Sequence, residues 1–391
     1  AVATVMMLNV LLGNVGQTIE SAGEFPFAQL QAKTGSTANL LAFTEAAKAK
    51  QLDVVFISGT NPMYSAPAAL DMKSALAGIG LKVALAQFED ETTAQADIVL
   101  PTSSYLEDWG THVAGYPAGQ STISMQQPLM EKLHADTRGF GDIVLDLLKA
   151  AGKKEFDQYG DYYAYLRHAH DSMPATYKTA ATNEASWNMA LQKGVINVAT
   201  NAKSLTSNVV EAPATNDKAA MSGSTGELTL MPTPRLGLWD GRHANLPWLQ
   251  EAPDQISKLV WDSWAEIHPS TAQSLGIKHG SIIKVSTAHG ELKLQTVLIK
   301  SIHPDAIAIP MGQGHDTYGQ FASGIGVNPL QILDPVKDEK TGELAMYATR
   351  VKVAATNETE IVVRMGGSDT QMGRKLVGTI PVEQLSRTEG A

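Results

Sequence analysis

The chain has 391 residues, 43% of them apolar, which is enough for a full core and favours two or three domains over one. With 30 basic against 40 acidic residues its net charge is -10, which speaks against a nucleic-acid surface and against docking on anionic lipid through a basic face, though not against a nucleotide-like ligand held by backbone amides. No cysteine occurs, so disulfides, iron–sulfur ligation and thiolate metal sites have no ligands in these residues.

The opening run "AVATVMMLNVLLGNVG" is too short to span a bilayer, has no basic flank and is broken by Asn9, Gly13 and Asn14. It predicts a buried helix and its loop. It also reads as mid-domain sequence without an initial methionine, so a fragment or processed product of a larger polypeptide is expected. Three apolar runs follow, "VVFIS" from Val54, "VALAQF" from Val83 and "DIVLP" from Asp97, and each predicts a strand buried on both faces. Between the first two, "APAALDMKSALAGIG" predicts a helix that begins near Pro67 and stops at Gly78 and Gly80. Strand, helix, strand, short connection, strand implies a parallel sheet with right-handed crossovers, a Rossmann-like half.

Further along, "EFDQYGDYYAYLRHAHDSM" carries aromatics at helical spacing and reads as a packed helix; His168 and His170 share no helical face. From residue 199 to 226 the chain turns rich in Ser, Thr, Asn and Ala with no sustained apolar period, which predicts a linker or surface excursion between a domain over 1–198 and another over 227–391. In the second, "SIIKVSTAHGELKLQTVLIK" alternates apolar and polar residues around "HG", the pattern of a half-buried antiparallel hairpin. With "ATRVKVAA" and "EIVVRM" as further β-rich segments, a closed or nearly closed β-barrel fits.

Ligands of open parallel sheets sit beyond the carboxyl ends of the strands. There Ser58, Gly59, Thr60, Asn61 and Pro62 either grip a phosphate, a ribose or a base edge, or simply start a turn. The loop after "DIVLP" supplies Thr102, Ser103, Glu107, Asp108, Gly110 and Thr111; Glu107 or Asp108 could pair with guanine N–H donors or be an exposed helix-end carboxylate. Glu89, Asp90 and Glu91 read as caps of the turn after the second strand. In "IPMGQGHDTYGQFASGIGVNP", Gly312, Gly314, Gly319, Gly324 and Gly326 interleave with His315, Tyr318, Gln320 and Asn328, which asks for close backbone approach to something. His315 by itself is more often a loop histidine satisfied by the backbone than a ligand, and its neighbours change that balance. No HExxH, GxSxG or P-loop occurs, and no GxGxxG follows a strand.

"LNVLLGNVG", "SGTNP", "DETTAQADIVLP" with "LEDWGT", "HPSTAQSLGIKHGSIIKVSTAHGEL" and "IPMGQGHDTYGQFASGIGVNP", in that order, resemble the C-terminal half of the large subunit of molybdopterin-dependent oxidoreductases, the dimethyl sulfoxide reductase superfamily. The resemblance implies a molybdopterin dinucleotide-binding barrel after the Rossmann-like domain. It also implies molybdopterin guanine dinucleotide as cofactor, with Ser58 to Pro62 and Thr102, Glu107, Gly110 and Thr111 along one dinucleotide. Gly312, Gly314, His315, Tyr318, Gln320 and Asn328 would then meet pterin and phosphate. It implies no catalytic residue and no metal ligand here, because the family's iron–sulfur cysteines and usual metal ligand lie in an amino-terminal portion without counterpart.

"WDGRHANLPWLQEAPDQISKLVWDSW", "STISMQQPLMEKLHADTRGFGDIVLDLL" and "GSDTQMGRKLVGTIP" are similar to large subunits of quinone-linked membrane complexes: alternative complex III, the sulfate reducers' quinone reductase complex and polysulfide reductase relatives. That branch implies an iron–sulfur subunit, a membrane quinone-binding subunit and a multihaem cytochrome c as partners, on the periplasmic face of the bacterial cytoplasmic membrane. In its first two groups the subunit is a molybdenum-free scaffold. The chain also has "HVAGYPAGQ" where cofactor-bearing relatives carry Glu-Gly-Arg, a departure that removes an arginine partner for phosphate or pterin. The other reading is half of a catalytic oxidoreductase for a small oxyanion or sulfur compound.

Overall fold

The structure, a computed structural model, describes residues 2–19, 35–113, 120–178, 180–199, 228–338 and 341–365, with 374, 378 and 380. These form two compact units, one from Ala1–Met63, Leu70–Met221 and Pro335–Ala345, the other from Tyr64–Ala69, Ser222–Asp334 and Met346–Ala391. The expected linker over 199–226 lies outside the described residues, apart from the backbone of Ala199.

In the first unit the three apolar runs become β1 (Val54–Ser58), β2 (Leu81–Ala86) and β3 (Ile98–Pro101), a parallel sheet in the order β1-β2-β3. The strands do not come out buried on both faces as expected. Val83 pairs with Phe56 and with Ile98 and is buried, yet Phe56 and Ile98 are half-exposed. A three-stranded sheet has two edge strands, and only the central one is sheltered from both sides. Val83 and Leu85 pack on Ile143 of the helix Phe140–Ala150.

The helix expected from Pro67 starts later. Ala68–Leu70 is a 3-10 turn, and Met72–Ala77 is capped by the Asp71 side chain on Ser74 N, with Gly78 at its end. The opening run does form a helix, Val2–Leu11, but it is not buried: Val5, Leu8 and Leu11 are more than half exposed, because no described neighbour covers them.

A second sheet was not foreseen. β4 (Gly110–Val113), β5 (Gln120–Gln126) and β6 (Val195–Ala199) pair antiparallel, and Ile123 and Ile196 pack with Ala190 of the helix Asn183–Lys193. Beside it, Asp161 caps the helix Tyr162–Asp171.

The second unit contains β7 (Leu228–Thr233), β8 (Trp264–Ile267), β9 (Ser281–Thr287), β10 (Gly290–Leu298), β11 (Ala306–Pro310) and β12 (Arg350–Thr359). Their pairings run β10-β8-β11-β7-β12-β9 and return to β10 as a closed barrel. β9 and β10 are the expected hairpin, in register from Thr287–Gly290 to Ile282–Gln295. Ile307 pairs with both Leu230 and Ile267, and all three are fully buried. "EIVVRM" does not continue β12: the last residue of the strand, Thr359, already sits opposite Ser281 at the start of β9, and beyond it Glu360 N donates to Gly280 O, Met365 N donates to Lys258 O and Arg364 bridges Leu259.

Candidate functional site

The carboxyl ends of β1, β2 and β3 face one side of the parallel sheet, and their loops join there. Asn61 uses both ends of its amide: Nδ2 donates to Glu91 Oε2 at 2.6 Å, and Oδ1 accepts from Thr92 Oγ1 at 2.6 Å. Met63 N donates to the same Thr92 hydroxyl, and Gln87 Nε2 donates to Ser103 O. The pair Glu91 and Thr92 thus fixes the first loop, a role that no local signal announces. Asp90 is the cap it was read to be: its Oδ1 accepts from Thr92 N and Thr93 N. Burial raises its pKa in spite of those bonds. Pro62 opens the short helix Pro62–Ser65.

Ser58, Gly59 and Thr60 are exposed. Gly59 has φ +65°, and a Cβ built there would meet nothing within 4 Å. This turn therefore leaves open backbone at the strand end, the arrangement a phosphate or ribose needs.

Thr102 forms a bridge with Arg138. Glu107 accepts from Leu133 N at 2.9 Å with Oε1 and from Ser104 N at 3.0 Å with Oε2, so both oxygens serve local backbone, and the Leu133 bond leads in holding its pKa down. Gly110 and Thr111 lie in β4, where the Thr111 hydroxyl donates to Ser124 O. Asp108, Trp109, Asp142, Asp161, Tyr162 and Tyr163 line a cavity of about 270 Å³ that sequence reasoning missed. Burial raises the Asp108 pKa, and the charge of Asp142 adds to it. Each carboxylate accepts from a backbone N–H, Asp108 from Trp109, Asp142 from Tyr162 and Asp161, the helix cap, from Ala164, so all three serve local backbone.

In the second unit the glycine-rich loop closes on protein. His315 is 2% exposed; its ring stacks face to face on Tyr64 at 3.7 Å and 8°, and its Nε2 lies 3.1 Å from Gly241 O. The Tyr64 hydroxyl donates to Gln313 O at 2.8 Å. Asn328 Nδ2 donates to Tyr64 O at 2.8 Å, and its Oδ1 accepts from Leu330 N. Gln313 exchanges amide hydrogen bonds with Gln250 and donates to Trp261 O. Tyr318 donates its hydroxyl to Arg242 O, while Arg242 pairs with Asp240 through two bonds. Gly312 and Gly314 adopt φ +113° and +81°; Gln320 is exposed on the short helix Gly319–Ala322.

Comparison with known proteins gives the context. Residues 1–132 match the domain described as "Molybdopterin oxidoreductase", and residues 230–345 the "Molydopterin dinucleotide binding domain". The menaquinone reductase, molybdopterin-binding-like subunit of Nitratidesulfovibrio vulgaris is 25% identical over 366 residues, 89% of this chain and 49% of that protein. The assimilatory nitrate reductase catalytic subunit of Bacillus subtilis is 28% identical over 72% of this chain and 39% of its own length. Acetylene hydratase from Pelobacter acetylenicus shares the fold with a TM-score of 0.61 at 17% identity, over 80% of this chain and 46% of that one. The chain thus spans about half the length, or less, of these relatives.

A molybdopterin dinucleotide needs close backbone for its phosphates and free donors and acceptors at its ring edges. The turn at Ser58–Thr60 fits the first need. The side chains of Gln313, His315, Tyr318 and Asn328 do not fit the second, since their polar groups already bond to protein. The arginine-lacking stretch after Thr111 lies mostly outside the described residues. With both domains matched in order across the two units, the chain belongs to the molybdopterin oxidoreductase family.

Proposed function

We propose that this chain is part of the molybdopterin-family large subunit of a membrane-associated, quinone-linked respiratory electron-transfer complex, in which it serves as a scaffold. The breadth of one similarity carries the reading: the likeness to the menaquinone reductase subunit runs through 89% of the chain, whereas that to the arsenate respiratory reductase subunit of Shewanella covers 29%. In this proposal the partners are the remainder of the large subunit, an iron–sulfur subunit, a membrane quinone-binding subunit and a multihaem cytochrome c, at the periplasmic face of the bacterial cytoplasmic membrane. No helix among the described residues is long and apolar enough to cross a membrane, and the proposal gives membrane attachment to a partner.

A second reading rests on the nitrate reductase likeness over 72% of the chain. It makes the chain half of a catalytic bis-molybdopterin guanine dinucleotide oxidoreductase for a small oxyanion or sulfur compound, with the open turn Ser58–Thr60 at a phosphate.

Purification of the native complex, elemental analysis for molybdenum and tungsten, pterin release and a quinone-linked electron-transfer assay decide between them. The scaffold reading expects quinone-dependent electron transfer without stoichiometric metal. Stoichiometric metal and pterin with oxyanion reduction, and no quinone dependence, would overturn it.

A further inference from the structure

We infer that the glycine-rich loop from Gly312 to Asn328 is a receptor for the chain's own Tyr64 and makes no ring-edge contact to a pterin. The inference concerns the loop alone and holds under either reading of the function.

A loop shaped to receive a tyrosine needs a stacking face, an acceptor for the phenol proton, a donor to the residue's own backbone and glycines that let the chain come close. Tyr64 meets all of them. His315 provides the parallel face at 3.7 Å, the Gln313 carbonyl accepts the phenol proton, and Asn328 donates to the carbonyl of Tyr64 itself. Tyr64 is 4% exposed, and the residues 64–69 that carry it belong to the second unit although β1 and β2 of the first unit flank them in sequence.

The glycines supply the second line of argument. A glycine kept for a ligand leaves a void where its Cβ would stand, and one kept for protein contact does not. A Cβ at Gly241 would come within 2.5 Å of Tyr64 Cε1 and 2.8 Å of His315 Nε2. At Gly312 it would meet Leu238 Cβ at 2.7 Å, at Gly314 the backbone nitrogen of Asn328 at 2.2 Å, and at Gly326 Ser263 Oγ at 2.4 Å. Of the loop's glycines only Gly324 faces open space, as Gly59 does in the first unit. The close approach announced by the sequence is therefore spent on the chain's own atoms.

The test uses the native complex with Tyr64→Ala, His315→Ala, the double variant, and Tyr64→Phe as the ring-preserving control. Two quantities are read: the thermal midpoint, and the pterin released per copy, measured by fluorescence after oxidation. Both single variants should lower the midpoint, and the double variant should lower it by clearly less than the sum, because one stack is lost only once. Pterin per copy should equal the wild-type level in every variant, whatever that level is, and Tyr64→Phe should fold with a small loss of midpoint. A drop in pterin in His315→Ala with a wild-type midpoint, or additive losses in the double variant, overturns the inference. Quinone-linked electron transfer is scored separately, so loss of the functional proposal and loss of this one are distinguishable.

Discussion

Gly241 stands where Tyr64 and His315 leave no room for a methyl group, and its φ of +104° is one that L side chains rarely adopt. Gly241→Ala is therefore expected to cost about 3 kcal/mol through overpacking and backbone strain, read as a lowered midpoint in chemical denaturation. Asp108 is the residue where pH should speak. Burial, aided by the Asp142 charge, raises its folded pKa, so its contribution is favourable in acid and is lost as pH rises through the raised value. Asp108→Asn should then raise the thermal midpoint at neutral pH and leave it unchanged below the ordinary carboxylate range; a gain that persists in acid would contradict this sign. At this scale the sequence showed which residues were unusual but not what they touch. "GQGH" announced close packing, and only the fold reveals that Tyr64, more than 240 positions away, is the ring it packs. Asn61 likewise read as a turn former or a ligand group, while its partner Glu91 arrives from the loop after β2.

Among the elements, strong periodicity was legible and weak periodicity was not. The β9–β10 hairpin alternates cleanly around a two-residue turn, and β1 to β3 are apolar runs, so these follow from pattern alone. β5 reads "QSTISMQ", largely polar, and its neighbour β6 pairs with it from about 75 residues away, which no local signal reports. Trp187, on the helix whose Ala190 packs against this sheet, is 1% exposed, meets Trp109, Tyr163 and His170 and lies 5.0 Å under the Arg167 guanidinium. Truncation there removes a large side chain that neighbours cannot replace. Trp187→Ala should cost about 4 kcal/mol, visible as loss of the first unit's unfolding transition ahead of the second's. His170 is buried against Ser186 and Trp187, and His168 lies beside Tyr159.

For the molecule as a whole, the apolar surface is the measurable property. Leu8 and Leu11 on the first helix, and Phe56, Ile98 and Val99 on the outer strands of the parallel sheet, all stand exposed. Edge strands with apolar faces pair readily with one another. The 391-residue chain made by itself should therefore self-associate, and Phe56→Lys combined with Leu8→Lys should reduce that association in sedimentation without changing the circular dichroism. The family and the order of its two domains were legible from motif order. How the chain is shared between the units was not, because it depends on which segments pack together after folding.

That sharing bears on how the gene can be cut. The path changes unit at 63/64, 69/70, 221/222, 334/335 and 345/346, so each unit borrows a short peptide from inside the stretch that builds the other. Severing the chain within 200–227, the natural place from composition, would give a carboxyl-terminal piece without Tyr64 and an amino-terminal piece without Pro335–Ala345. Each half then lacks a peptide of its own unit. Recombination that swaps the carboxyl-terminal half for that of a distant relative would have to carry the hexapeptide 64–69 along, and a swap of the amino-terminal half the eleven residues 335–345.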